Sequence, residues 1–102
     1  MILLHSNDTL AEQIRECIVE MLVERGAGRS LCPSEAAQVL GTRLGCPWQD
    51  LMRPVRAMAA ALAEGGIVEA IQHETVVDIQ QVRGPVRLRL RSLTGQRTNF
   101  AA

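Results

Sequence analysis

The chain has no tyrosine, and Trp48 and Phe100 are its only other aromatics in 102 residues. The apolar 47% of the sequence therefore supplies an aliphatic core of Leu, Val, Ile, Met and Ala, which suits packed helices. Lysine is absent as well, so all eleven basic residues are arginines, and arginine makes the bidentate phosphate contacts that lysine cannot. No apolar run approaches the roughly 20 residues of a membrane span. "MILLHS" is too short, and lacks the basic start, for a signal peptide. A cytoplasmic protein with no membrane partner is expected. Cys17, Cys32 and Cys46 are odd in number and lack CxxC spacing, so they read as reduced thiols rather than a disulfide framework or a paired zinc site. GxxxxGKS, GxGxxG, GxSxG and HExxH do not occur, and the carboxylates form no pair at catalytic spacing. The expectation is a domain that is not an enzyme and holds no cofactor or metal.

A chain of 102 residues buries too little surface to be divided, so residues 1–91 read as one domain and residues 92–102 as a polar tail. The formal charge is zero, yet it is unevenly divided. Residues 1–52 hold four Arg against seven acids, a net −3, and residues 53–102 hold seven Arg against four, a net +3.

Helical spacing of Leu10, Ile14, Cys17, Ile18, Met21 and Leu22 predicts a first helix, with Thr9 and Glu12 as a capping box and Gly26 as the stop. Glu12, Glu16, Glu20 and Glu24 recur every four residues along it, a like-charge stripe that must face water or a basic partner. "CPSEAAQVLG" predicts a second helix with Pro33 in its first turn and Gly41 as its end. "TRLGCPW" reads as a connector. "QDLMRPVRAMAAALAEGG" predicts a third helix, with Leu51, Val55, Met58, Ala59 and Leu62 on the core face and Ala57, Ala60, Ala61 and Glu64 opposite. Pro54 must lie in its first turn or at a kink, and Gly65 and Gly66 terminate it. From Ile67 the period changes. "IVEAIQ" is a short strand, residues 73–84 a long connection, and Val86 to Arg91 the clearest alternating stretch in the chain.

Three helices followed by a hairpin make an α+β layout, that of a winged helix: a helix-turn-helix core with a C-terminal β-hairpin wing. The segments "LVERGAGRSLCPSEAAQVLG", "WQDLMRPVRAMAAALAEGGIVEAIQ" and "VVDIQQVRGPVRLRL" together resemble a small bacterial family, domain of unknown function 3253, over roughly residues 10–90. That resemblance implies a winged-helix fold and no established activity.

Within "VRGPVRLRLR" the side chains of Val86, Leu88 and Leu90 point inward on such a strand. Arg87, Arg89 and Arg91 then form an outward row, with Arg83 at the wing and Arg97 in the tail. The row suits a DNA or RNA backbone. It equally suits a solvated strand face paired with Glu69 or Glu74, or the charged protection of a sheet edge. Helix three offers Gln49, Asp50, Arg53 and Arg56 at its start, where helix-turn-helix proteins meet base edges. The alanines beyond them form few hydrogen bonds, so Arg53 and Arg56 suit phosphate contacts better than sequence readout. The same alanine face suits a homodimer or a protein partner. Cys32 and Cys46 each precede a proline near a helix start, where the dipole favours a thiolate. A nucleophile also needs a base, and no motif places His5 or His73 beside either cysteine. Cys17 reads as a packing residue, and Trp48 as a cover for the core beside helix three.

Overall fold

Thr9 opens the first helix by accepting, at its Oγ1, a hydrogen bond from the Glu12 N–H at 3.1 Å. This satisfies one of the amide donors that a helix start leaves without a partner. The computed structural model describes the chain from Thr9 to Arg91, residues 9–91; His5, Arg97, Phe100 and the tail lie outside the described residues. Helix α1 (Leu10–Arg25) buries Ile14, Cys17, Ile18 and Leu22 along one stripe and ends at Gly26, φ +99°.

Helix α2 (Pro33–Leu44) begins with Pro33 at its first position, where a missing N–H breaks no helical bond. It does not stop at Gly41. It continues through residues 42–44 to Gly45, whose left-handed backbone (φ 74°, ψ 34°) closes it. Gly41 is there for a different reason, since a Cβ at this position would lie 2.7 Å from the Cys46 carbonyl oxygen and 3.3 Å from the Trp48 Cα. The chain turns back on the helix at that point, with the Gly45 and Cys46 amides both donating to the Gly41 carbonyl, at 2.8 and 3.0 Å. A 3-10 turn (Trp48–Leu51) leads into helix α3 (Met52–Glu64), so Pro54 falls in its first turn. The core face of α3 carries Val55, Ala59 and Leu62 as expected, and Ala60 is buried as well. Helical spacing alone puts Ala60 on the opposite face; the segment from Val77 to Gln80 folds over it and removes it from water.

Four strands complete the fold: β1 (Ser30–Leu31), β2 (Val68–Gln72), β3 (Thr75–Val77) and β4 (Arg87–Leu90). They form one antiparallel sheet in the order β1-β4-β2-β3. Two of them depart from the sequence reading. β1 is two residues long, too short to show alternation. β3 lies in what reads as a connection because its turn from β2, His73–Glu74, carries none of the usual Gly or Asn, although both residues have positive φ (52° and 65°). β4 is consequently an interior strand, flanked by β1 and β2, so its charge alternation does not protect a sheet edge.

Helices α1 and α3 pack on the sheet, against β4 and β2. Leu31, Val68, Ala70, Val86 and Leu88 meet Ile14, Ile18, Leu22, Leu40, Val55 and Leu62 in a single aliphatic core. Trp48 is half-buried against that core. The result is α+β, three helices and a four-stranded antiparallel sheet, an arrangement compatible with a winged helix. Among the described residues no helix is long and apolar enough to cross a membrane.

Candidate nucleic-acid interface

Alternation along β4 sends Leu88 into the core and Arg87 and Arg89 to the sheet face turned away from the helices. The register then decides their company. Ser30 and Glu69 both lie opposite Arg89, and Ile71, itself opposite Val76, lies opposite Arg87. Residues directly opposite share a face, so the outward surface has a polar row (Ser30, Arg89, Glu69) beside a mixed row (Arg87, Ile71, Val76).

Arg89 donates from Nε to Glu69 Oε1 at 2.9 Å, with both side chains about one-third exposed (35% and 26%). This is the cross-strand pair that a solvated face provides, and an ion pair of this exposure contributes about 0–1 kcal/mol. Arg87 takes a different partner. Its Nε donates to Ser30 Oγ at 2.7 Å and its Nη2 to the Ser30 carbonyl at 3.4 Å. The same carbonyl accepts from Arg25 Nη1 at 2.7 Å, and that nitrogen also bonds Glu35 Oε1 at 3.1 Å. Glu35 is held in place by the Cys32 amide, which donates to Oε1 at 2.9 Å as half of a capping box at the start of α2. That backbone hydrogen bond, with help from the neighbouring Arg25 and Arg87, draws the Glu35 carboxyl below the usual carboxylate range against the opposing effect of burial.

Arg25 and Ser30 escape a sequence reading. Arg25 stands in the last turn of α1, where a basic residue is already explained by the helix dipole. Ser30 becomes a partner of Arg87 only because β1 pairs with β4, 57 residues away in the chain.

The other sequence-derived candidates lie elsewhere. Arg91 follows β4, is exposed, and donates its backbone N–H to the Ile67 carbonyl at 3.0 Å. Arg83 is exposed in the turn before β4, next to Gly84 (φ +91°). Gln72 Nε2 pins that turn by donating to the Arg83 and Pro85 carbonyls at 2.8 and 3.1 Å. Arg53 is exposed and Arg56 half-buried at the start of α3, in the helical layer. Gln49 and Asp50 are exposed in the 3-10 turn before it. The six arginines thus divide among the helix start (Arg53, Arg56), the turn (Arg83), the outward sheet face (Arg87, Arg89) and the position that follows β4 (Arg91). The structure brings Arg87 and Arg89 onto one face and leaves Arg53 and Arg56 on a separate layer.

Ala57 and Ala61 are exposed on α3, and with Pro54 they face Leu10, Ala11 and Ile14 of α1 across a groove of about 290 Å³. Its lining is wholly apolar. Cys32 is the N-cap of α2, with its Sγ 3.2 Å from Ser34 Oγ. Cys46 lies at the turn after α2 and His73 in the β2–β3 turn. Among the described residues no group of three or more His, Cys, Asp or Glu side chains is placed to hold a metal ion.

No curated protein matches the chain. The family model described as "Protein of unknown function (DUF3253)" matches residues 11–91, from the second residue of α1 through the residue that follows β4. The match takes in all three helices, all four strands and the Arg25–Ser30–Arg87 network, and the chain belongs to this family of proteins of unknown function.

Proposed function

We propose that this domain binds nucleic acid, DNA or RNA, mainly through the phosphate backbone, on a winged-helix frame in the bacterial cytoplasm. The observation that carries this reading is the outward face of the sheet. Among the described residues no helix packs on it; it carries Arg87 and the Arg89–Glu69 pair, and at its β1 edge Ser30 joins Arg87 to Arg25, which bonds Glu35. Arginine forks suit phosphate oxygens in geometry and charge. Arg91 and Arg83 extend the basic surface along and before β4, while Arg53 and Arg56 supply a second set of contacts from α3. The exposed face of α3 offers Ala57, Ala61 and Glu64, which supply almost none of the donors that read base edges. Binding is therefore salt-dependent and weakly sequence-specific.

The test is fluorescence anisotropy of a labelled random duplex, and of a single strand, titrated at low and near-physiological salt. A steep fall of affinity with salt supports the reading. Replacing Arg87 and Arg89 by Ala flattens the slope of log K against log salt by about 0.9 for each duplex phosphate no longer neutralised. Absence of binding at low salt refutes it.

A second reading rests on the apolar groove between α1 and α3, a surface for a second copy or another protein. An acidic stripe of Glu12, Glu16, Glu20 and Glu24 runs along the same α1. A mass that rises with concentration and reverts with Ala61→Glu identifies this role. A concentration-independent monomer mass removes self-association.

A further inference from the structure

We propose that Ser30, Arg25 and Arg87 form a seat for a single backbone phosphate, and that the Glu35 carboxylate is its internal competitor. The proposal rests on the nucleic-acid reading and adds to it a position, a stoichiometry and a restraint.

The geometry begins at one oxygen. Arg25 Nη1 and Arg87 Nη2 both bond the Ser30 carbonyl, at 2.7 and 3.4 Å, and two nitrogens bonded to one oxygen lie no more than roughly 6 Å apart. Two guanidinium groups are thus held side by side on elements that meet only through the β1–β4 pairing. Like charges that close repel, and the Ser30 carbonyl and the Glu35 carboxylate are the acceptors that hold them there. Donors are left over. Among the described residues, Nη1 of Arg87 and Nη2 and Nε of Arg25 make no hydrogen bond. Both side chains are accessible, that of Arg25 by 34%.

A phosphate group presents several oxygens to neighbouring donors and carries the negative charge that two adjacent guanidiniums lack. Glu35 supplies part of that charge now, through the 3.1 Å bond to Arg25. Its other bond, from the Cys32 amide, holds it at the start of α2, beside the seat, when an anion arrives. A phosphate docking on Arg25 and Arg87 therefore meets a carboxylate beside it, which weakens the attraction. Arg89 has its own carboxylate, Glu69, and lies outside the seat.

The arrangement makes two predictions that separate arginines on individual phosphates do not. First, Arg25→Gln and Arg87→Gln each flatten the salt slope by about 0.9, and the double variant flattens it by the same amount rather than twice as much, because both arginines serve one phosphate. Second, Glu35→Gln, which keeps a side-chain oxygen for the Cys32 amide but removes the charge, tightens binding by about three- to tenfold at low salt, with the effect shrinking as salt rises.

The measurement is duplex anisotropy across a salt series for the unaltered protein, these four variants and Arg43→Gln. Arg43 is an exposed arginine in the last turn of α2, eight residues from Glu35 and so about 12 Å along the helix. Circular dichroism establishes that each variant folds. If Arg25→Gln does not, Arg25→Lys, which keeps the charge and loses the fork, takes its place and is expected to weaken binding without changing the slope. In parallel, the Nε–H resonances of Arg25 and Arg87 shift on titration with a short unlabelled duplex, and that of Arg43 does not. If the unaltered protein binds no nucleic acid, the functional reading falls and the seat with it. If it binds, but the Arg25 and Arg87 variants behave like Arg43→Gln, or Glu35→Gln weakens binding, the seat is refuted and the broader reading stands.

Discussion

Gly41→Ala tests the packing that joins α2 to the 3-10 turn. In an ordinary helix interior this change stabilises, since glycine costs about 1 kcal/mol relative to alanine. Here the added methyl group would sit 2.7 Å from the Cys46 carbonyl oxygen, and 3.3 Å from both the Trp48 Cα and its amide nitrogen. Every one of these neighbours is backbone, so no side chain can rotate aside. The turn must move instead. It is held by the Gly45 and Cys46 amides on the Gly41 carbonyl itself, and it positions Trp48 and Leu51 against the core. Overpacking that forces a backbone shift costs about 1–3 kcal/mol, so after the propensity gain of about 1 kcal/mol a net loss of up to about 2 kcal/mol is left. For a domain of this size that lowers the melting temperature by up to about 16 °C, read by circular dichroism at 222 nm. Gly65→Ala is the matched control. Its backbone is right-handed (φ −79°) and its nearest neighbour, the Ala61 carbonyl oxygen, is at 3.5 Å, an ordinary contact. That variant is expected to melt no lower than the unaltered protein. A Gly41→Ala protein that melts at or above the unaltered temperature refutes the close-approach account and restores propensity as the deciding term.

Glu74→Gly replaces a side chain held at φ 65° in the β2–β3 turn; relief of left-handed strain of about 1–2 kcal/mol outweighs glycine's added entropy cost, so the melting temperature rises by a few degrees, and a fall refutes the turn geometry. Burial raises the pKa of the Cys17 thiol. Its share of stability is therefore complete below the thiol's unfolded pKa and is lost as pH rises through the folded value, a decline that Cys17→Ala removes in alkaline melts. A thiol reagent is expected to modify Cys32 and Cys46 in the folded protein and Cys17 only on unfolding; rapid reaction at Cys17 contradicts its packing. The Glu35 carboxyl, held low by the Cys32 amide and two arginines, behaves in the opposite sense. Its contribution is present above the ordinary carboxylate pKa of about 4.3 and is lost as pH falls through the lowered folded value, so Glu35→Gln flattens the acid limb of a stability profile and an unchanged limb counts against the network.

The helices are legible in the sequence because their signals are local. Thr9, Pro33 and Gly26 act within a turn of themselves, and the apolar stripe of α1 repeats often enough to show its period. Gly41 shows the limit of such signals. A glycine after an apolar run reads as a stop, yet its meaning depends on a chain segment five to seven residues further on. β1 and β3 escape for a related reason. Two or three residues carry no period, and their strand character comes from hydrogen bonds to β4 and β2. Ala60 is buried on the far face of α3, where Val77, Asp78, Ile79 and Gln80 lie beside it, a packing with no mark in the helix itself.

The candidate interface divides along the same line. Alternation alone determined that Val86 and Leu88 go inward and that Arg87 and Arg89 share the other face, because a strand has period two whatever surrounds it. Composition determined an aliphatic core and a phosphate-competent arginine set. Pairing decided the rest: that β4 is interior, that Glu69 rather than Glu74 meets Arg89, and that Arg25, Ser30 and Arg87 converge on one carbonyl oxygen. The pairings of Arg89 with Glu69 and of Arg87 with Ser30 join residues 20 and 57 positions apart. Sequence periodicity records which way a side chain points from its own backbone; only the packed sheet determines what stands opposite it.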